Sequence, residues 1–206
     1  MSRKVCERCG RPEKVCLCPF ITPLENRVEI GILQHPSEVK QIKGTAIIAT
    51  LSLSHCRLWE GERFSDVGDF HDWLQQGTVY LLYPELGDHA ASKPVETRSL
   101  VELKQALRCA GEEGPLVKIL LLDGTWRKTH KMMMLNPELQ SLPRLTLHPQ
   151  RTSAYRIRKQ KNDQSLSTIE AIYEVLSGLE ENQSFEPLLE AFEQMNQQQL
   201  AFRPVH

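Results

Sequence analysis

The stretch VKILLLDGTW, from Val117 to Trp126, decides the fold of this chain. It begins as an almost continuous apolar run, which is typical of a strand buried on both faces of a parallel sheet. It ends on the tetrapeptide DGTW, where an acid and a tryptophan follow the apolar residues directly. We predict a strand at Val117–Leu122 and a helix at Trp126–Leu135. Since ligands bind beyond the carboxyl ends of strands in such sheets, the tetrapeptide also predicts the position of a site.

The same alternation of strands and helices runs through residues 25–206. Ser99, followed three residues later by Glu102, is a capping-box signature of a helix N-terminus. Near-continuous apolar strands separated by helices indicate an α/β fold, with a mostly parallel sheet flanked by helices. The further predicted strands are Val28–Leu33, Val79–Tyr83 and Arg144–Leu147, and the further predicted helices are Thr45–Leu53, Asp66–Gln76, Ser99–Ala110, Leu166–Leu179 and Glu186–Gln199.

The composition is that of an ordinary globular protein. The chain has 206 residues, of which 40% are hydrophobic and 25% are charged. No apolar run approaches the roughly 20 residues needed to cross a bilayer. The N-terminal sequence MSRKVCERCG lacks the apolar core of a secretory signal. We therefore expect a cytoplasmic protein with no membrane segment.

Four cysteines lie within thirteen residues near the N-terminus: Cys6, Cys9, Cys16 and Cys18. Four thiolates in a tetrahedral array satisfy Zn²⁺ and leave no open position for catalysis, so we predict a structural zinc-binding module at residues 1–24. The alternative is a pair of disulfides, which would need an oxidising compartment. Cys56 and Cys109 lie in the helical and apolar part of the chain, where we expect them to be buried small side chains.

Charge is unevenly distributed along the chain, although the net charge is only −1. Residues 127–161 contain nine Lys or Arg and one acid, whereas residues 164–206 contain seven Glu and one Arg. A basic stretch of this kind is either a solvated surface or a contact for a phosphate backbone.

Three loops are predicted to follow strand ends at one edge of the sheet, at residues 84–89, 123–126 and 148–155. Considered singly, Asp123 could cap the helix that follows it and Trp126 could be an anchor in the core. Together, the loops offer an acid, hydroxyl groups and an aromatic wall, which indicates a pocket. The chain has neither a GxGxxG motif after a strand nor a P-loop, so ordinary dinucleotide and nucleoside triphosphate sites have no support.

Several short motifs, combined with the cysteine cluster, resemble the DTW-domain family over nearly the whole chain. The DxTW tetrapeptide alone is weakly specific, but the ordered set is specific. The set comprises Cys6/Cys9/Cys16/Cys18, Gln34-His35-Pro36-Ser37-Glu38, Asp123-Gly124-Thr125-Trp126, Asn136-Pro137-x-Leu139, Ser153-x-Tyr155-x-Ile157-Arg158 and Leu166-Ser167-Thr168-x-Glu170-Ala171.

The resemblance implies a tRNA-uridine aminocarboxypropyltransferase. Such an enzyme transfers the 3-amino-3-carboxypropyl group of S-adenosylmethionine to N3 of a uridine in tRNA and releases methylthioadenosine. The resemblance also implies a SPOUT-like domain with a C-terminal trefoil knot at residues 25–206. Two alternatives stay open: a SPOUT-type S-adenosylmethionine-dependent RNA methyltransferase, and a zinc-bearing RNA-binding module without enzymatic activity. No stable protein partner is implied.

The resemblance also suggests roles for individual residues. Asp123 is the candidate general base, with an electrostatic role near the cofactor's sulfonium or amino group as the alternative. The predicted cofactor-binding residues are Leu82, Pro84, Gly87, Thr125, Trp126, Ser153, Tyr155 and Thr168. The predicted contacts to tRNA phosphates are Arg156, Arg158, Lys159 and Lys161.

Overall fold

The computed structural model describes residues 4–39, 41, 43–83, 95–110, 116–147 and 166–201. Within these residues the chain forms a six-stranded sheet in the order β2-β1-β5-β3-β6-β4. Every strand pair in it is parallel, which confirms the predicted α/β class with a parallel sheet. The strands are β1 (Glu29–Gln34), β2 (Cys56–Glu60), β3 (Thr78–Leu82), β4 (Thr97–Ser99), β5 (Val117–Asp123) and β6 (Arg144–Thr146).

The two strands that the sequence pattern missed, β2 and β4, are the two edges of the sheet. In β2, charged residues such as Arg57 and Glu60 interrupt the apolar pattern, and β4 is only the polar tripeptide Thr97–Ser99. An edge strand is less buried than a central one and therefore lacks the continuous apolar run that identifies a strand from sequence.

All six predicted helices are present within a few residues of their predicted ends. The predicted capping box forms, because Glu102 accepts hydrogen bonds from the Ser99 backbone and hydroxyl. A second capping box, between Ser167 and Glu170, begins α7. In the described ranges the α-helices are α1 (Pro36–Val39), α2 (Ala46–Ser52), α3 (Gly68–Gln75), α4 (Leu100–Ala110), α5 (Trp126–Leu135), α6 (Pro137–Gln140), α7 (Thr168–Leu179) and α8 (Glu186–Ala201).

The core consists of one apolar layer on each face of the sheet, because side chains alternate between the faces along each strand. On one face, Ile119 and Leu121 of β5 belong to a cluster with α2, α7 and α8. On the other face, Leu120 belongs to an aromatic cluster in which Trp59 and Trp73 pack with ring centroids 5.3 Å apart. Burial on both faces explains why β5 is the most apolar strand.

The remaining two cysteines differ from the prediction. Cys109 is exposed on α4, so the prediction that it is buried was wrong. Cys56 lies in strand β2 rather than in a helix and is partly buried against the core. Burial raises the pKa of the Cys56 thiol to about 12, as expected for an unreactive packed side chain.

Two further predictions concern the chain as a whole. Among the described residues, no helix combines the length and apolar character needed to cross a membrane. The C-terminal trefoil knot stays a prediction, because residues 148–165, between β6 and α7, lie outside the described residues.

Candidate functional site

Asp123 lies at the carboxyl end of β5, between the ends of β1 and β3. Its register partner on β1 is Gln34, whose side-chain Nε2 donates to Asp123 Oδ2 at 2.7 Å. The hydroxyl of Thr168, at the start of α7, donates to Asp123 Oδ1 at 2.5 Å. Both carboxylate oxygens therefore accept a hydrogen bond from an uncharged donor. This arrangement fixes the orientation of the carboxylate without neutralising its charge.

The position of Thr168 is set by the cap of α7. Ser167 is the N-cap residue, and its hydroxyl and backbone exchange hydrogen bonds with Glu170. The backbone N–H of Ile169 donates to the hydroxyl of Thr45 at 3.4 Å, which ties the same turn to the start of α2. Two segments that are distant in sequence thus meet at Asp123, one from β1 and one from α7.

A second polar network holds the loop after β1 against α5. His35 Nδ1 accepts from the backbone N–H of Ser37 at 3.2 Å, so Nε2 carries the hydrogen and donates to Glu62 Oε1 at 2.8 Å. Lys131 donates to the other oxygen of Glu62 at 2.6 Å. The hydrogen bonds from Lys131 and His35 hold the pKa of Glu62 below its usual value. The backbone N–H of His35 also donates to the Asp123 carbonyl at 3.0 Å, so this network supports the turn that follows β5.

Two other motif residues have structural roles. Asn136 is 1% exposed, and its side chain bonds the backbone of Phe64, Glu62 and Met132 at 2.7–2.8 Å. A Cβ added at Gly124 would lie 3.3 Å from Lys128 Cβ, so glycine lets the turn pack closely on the first turn of α5. These contacts give Asn136 and Gly124 structural roles that involve no ligand.

Trp126 is not an anchor in the core, since 58% of its surface is exposed. Its ring stacks on that of Tyr83, which directly follows β3, with the centroids 5.4 Å apart and the planes inclined by 15°. Tyr83 is itself buried, so it gives Trp126 a fixed support. The result is an exposed aromatic surface held at the carboxyl ends of β3 and β5.

Arg144, the first residue of β6, lies on the same aromatic group. Its guanidinium carbon is 5.9 Å from the centroid of the Tyr83 ring. Arg144 is 7% exposed. Among the described residues, its Nη1 atom has no hydrogen-bond partner, and its Nη2 atom contacts the Gln140 carbonyl at 3.4 Å. Burial lowers the pKa of Arg144. It also raises the pKa of Tyr83, although the Thr129 hydroxyl nearby partly offsets this rise.

The four N-terminal cysteines form a compact cluster of sulfur atoms. The Sγ atoms of Cys6 and Cys18 are 3.7 Å apart, as are those of Cys9 and Cys16, and the ligand atoms of all four lie within 4.8 Å of one another. The cysteines are free rather than disulfide-bonded. Zn–S bonds of about 2.3 Å in a tetrahedron place the sulfurs about 3.8 Å apart. The cluster therefore has the dimensions of a tetrahedral metal site.

The backbone around the cluster is shaped for sulfur ligands. Gly10 has φ = 65° and donates its N–H to the Cys6 carbonyl at 2.9 Å, a turn that favours glycine. Backbone N–H groups of Cys9 and Arg8 lower the pKa of Cys6 to about 6. Burial, together with the neighbouring sulfurs, raises the pKa of Cys18 to about 12. A bound cation would favour the thiolate form of these sulfurs.

The cysteine cluster packs against the remainder of the protein through α8. Leu17, between two of the cysteines, is fully buried and belongs to the same core cluster as Phe192 and Met195. Gln198 of α8 donates to the Cys16 carbonyl at 3.2 Å. A change in the cysteine cluster would therefore affect the packing of α8 as well as the N-terminal segment.

The other predicted site residues fall into two groups. Leu82 is half-buried at the end of β3, and Thr125 is exposed at the N-terminus of α5, where its side chain makes no capping bond. Eight predicted residues lie outside the described residues: Pro84, Gly87, Ser153, Tyr155, Arg156, Arg158, Lys159 and Lys161.

Tyr83 and Arg144 are site residues that the sequence pattern did not predict, and the pattern gave no role to Gln34. One feature of the sequence pointed to Arg144. It begins a predicted strand, where a side chain is expected to be partly buried, and a buried charge needs a partner such as a ligand. The role of Gln34 depends on β1 and β5 being neighbours, which the sequence pattern does not specify.

Comparisons with known proteins agree with these motifs. The DTW domain matches residues 3–200. The chain is 31% identical over 188 residues to tRNA-uridine aminocarboxypropyltransferase 2 of Macaca fascicularis, covering 87% of this chain and 58% of that protein. It is 32% identical over 185 residues to the Drosophila melanogaster protein of the same name, covering 86% of this chain and 67% of the relative.

The chain thus spans 58% to 67% of the length of these two curated relatives. No solved structure matches it. The domain match extends over nearly the whole chain and includes the turn at Asp123, the exposed Trp126 and the cysteine cluster. The chain belongs to the DTW-domain family.

Proposed function

We propose that this protein is a tRNA-uridine aminocarboxypropyltransferase. In the proposed reaction, uridine N3 attacks the Cγ carbon of S-adenosylmethionine. The Cγ–S bond breaks with its electron pair going to sulfur, and methylthioadenosine leaves. The observation that carries the proposal is the DTW-domain match over residues 3–200, together with the name shared by the relatives.

Asp123 is the proposed catalytic carboxylate. Uridine N3 must lose its proton to become a nucleophile, and a carboxylate at the end of β5 is placed to accept that proton. The hydrogen bonds from Gln34 and Thr168 leave a further lone pair on each oxygen of Asp123, so it can still act as a base. The alternative is that Asp123 stays ionised and faces the sulfonium or the amino group of the cofactor. In either role of Asp123, the Thr168 hydroxyl orients the carboxylate. This is in addition to the predicted contact of Thr168 with the cofactor.

The exposed ring of Trp126 supports the proposed cofactor site. A sulfonium is a cation, and an indole face attracts cations at short range. Thr125 provides a hydroxyl beside it, and Leu82 provides an apolar surface at the end of β3. We assign Pro84, Gly87, Ser153 and Tyr155 to the same site as predictions, and the SPOUT-like knot is proposed with them.

The nucleic acid is proposed to lie along the basic stretch that follows β6. Basic side chains bind a phosphate backbone whatever the base sequence is. The proposed phosphate contacts are therefore Arg156, Arg158, Lys159 and Lys161. We propose Zn²⁺ as the ion held by the four cysteines, in a structural role, on the basis of the sulfur spacing. A metal assay of the purified protein tests this; serine replacement of Cys6 and Cys9 should release the ion and unfold residues 1–24.

The reaction is tested by incubating the purified protein with tRNA and S-adenosylmethionine and then measuring nucleoside masses. We expect a uridine that is heavier by about 101 Da, and free methylthioadenosine. A gain of about 14 Da would identify a methyltransferase instead. Tight RNA binding without any binding of S-adenosylmethionine would identify a non-enzymatic RNA-binding module.

A further inference from the structure

Among the residues that the structure describes, Arg144 is a buried cation without an anion. It is 7% exposed, and no ion pair involves it within the part of the chain that the structure describes. A guanidinium stays charged in proteins, so it cannot avoid the cost of burial by losing a proton. A buried charge that is left uncompensated is strongly destabilising. A residue of this kind is retained where something outside the fold supplies the missing charge.

Arg144 lies against the aromatic group at the carboxyl ends of β3 and β5. Its guanidinium lies against the ring of Tyr83, and the same ring supports the exposed Trp126. Arg144 Nη1 is buried and has no hydrogen-bond partner among the described residues, and the buried Tyr83 hydroxyl beside it lies close to the Thr129 hydroxyl. Thr129, beside them, donates its hydroxyl to the Trp126 carbonyl at 3.1 Å. Within the described part of the chain, Arg144 is thus an unpaired charged donor that lies on this aromatic group.

We propose that Arg144 and the Tyr83 hydroxyl bind the α-carboxylate of the aminocarboxypropyl group that is transferred. A guanidinium matches a carboxylate with two parallel hydrogen bonds, and a phenol can donate a third. A phosphodiester of tRNA fits less well, because Arg144 is too buried to meet a polymer backbone. This inference rests on the proposed function and adds to it the group that recognises the transferred moiety.

Such a contact would decide which carbon of the sulfonium reacts. All three carbons attached to that sulfur are activated, and the methyl group is the least hindered. A carboxylate held at one end fixes the chain that carries Cγ, so Cγ rather than the methyl group can be turned toward uridine N3. Arg144 is therefore proposed as a specificity residue, since a methyl transfer does not require recognition of the carboxylate.

The test is a set of binding measurements by calorimetry with three ligands. These are S-adenosylmethionine, its decarboxylated form, and methylthioadenosine, which lacks the transferred group. The proteins are the native chain, Arg144→Met, Arg144→Lys and a matched surface control, Arg108→Met. We expect Arg144→Met to weaken binding of S-adenosylmethionine about 10- to 100-fold and to leave the other two affinities unchanged. Arg144→Lys should have an intermediate affinity for S-adenosylmethionine, because it keeps the charge but loses the planar guanidinium that makes two parallel hydrogen bonds. Arg108→Met should bind all three ligands as the native chain does.

An equal loss for all three ligands in Arg144→Met would show a structural role and overturn the inference. An unchanged preference for the carboxylate-bearing ligand would overturn it as well. A native protein that binds S-adenosylmethionine without preferring it over the decarboxylated form would overturn the inference alone. A native protein that binds none of the three ligands would overturn the proposed function, and the inference with it.

Discussion

Lys118 and Arg144 are both buried cations on the sheet, but among the described residues only Lys118 has an acidic partner. Lys118, near the start of β5, is fully buried and lies 3.3 Å from the Glu29 carboxylate. It donates to the Trp73 carbonyl at 2.9 Å, and the Trp73 indole donates to Glu29 at 2.7 Å. Arg144, beside the carboxyl end of β3, has neither an acid nor a good acceptor among the described residues.

The difference follows the position of the two residues in the sheet. At the amino ends of β1 and β5, where no ligand is expected, the buried Lys118 is paired with Glu29. At the carboxyl ends, among the described residues, Trp126 is exposed, Arg144 has an unused donor, and Asp123 has uncharged partners. Groups left unsatisfied at the carboxyl edge indicate that this edge is built for a ligand rather than for stability.

The largest effect is expected at the carboxyl edge. Asp123→Asn should lower the transfer rate by about 10²- to 10⁴-fold, because it removes the proposed base. The protein should stay folded, since the Thr168 hydroxyl can accept a hydrogen bond from the new amide instead of donating one. Single-turnover transfer and circular dichroism measure the two quantities. Native activity in this variant would show that Asp123 is not the base, and lost cofactor binding would favour its electrostatic role.

At the amino edge, the expected effect is on stability alone. Lys118→Met should lower the free energy of unfolding by about 3 kcal/mol, because Glu29 is left without its cation. The double variant Lys118→Met/Glu29→Gln should regain part of this loss, since no unpaired charge remains. Urea unfolding measures both, and cofactor affinity is the control that should not change. A loss of cofactor affinity in a folded Lys118→Met protein would contradict the separation between the two edges.

In the protein without ligand, Arg144→Met should change the free energy of unfolding in the opposite direction from Lys118→Met. Removing an unpaired buried charge while keeping apolar volume should raise the free energy of unfolding by about 1 kcal/mol. Thermal unfolding without S-adenosylmethionine checks the sign directly. Destabilisation comparable to that of Lys118→Met would mean that Arg144 has a structural partner, and the contrast between the two cations would not hold.

The parts of the molecule that the sequence predicted are those that depend on local pattern. The apolar run of β5 and the capping boxes at Ser99 and Ser167 each involve residues close in the chain, so they could be identified without knowing the topology. The position of Asp123 at a strand end was predictable for the same reason. The cysteine spacing was equally local, and the sulfur cluster it implied is present.

The partners of Asp123 could not be predicted in this way. Gln34 and Thr168 are separated from it by 89 and 45 residues. Their contacts exist because β1 lies beside β5 and because α7 returns to the same edge, and strand order is a property of topology rather than of periodicity. The contact of Tyr83 with Arg144 likewise requires β3 and β6 to be neighbours.

The smallest expected effect concerns an exposed ion pair, which extends the comparison from the interior to the surface. Arg108 and Lys104 hold the pKa of Glu181 at about 2, below its usual 4.5. A carboxylate whose pKa is lowered on folding adds stability above its unfolded pKa, and that stability is lost as the pH falls from about 4.5 toward 2. Glu181→Gln should therefore flatten the pH dependence of thermal unfolding in this window and change little at pH 7, because exposed pairs are screened by solvent. A loss at pH 7 as large as that of Lys118→Met would show that exposure does not separate weak charge pairs from strong ones in this protein.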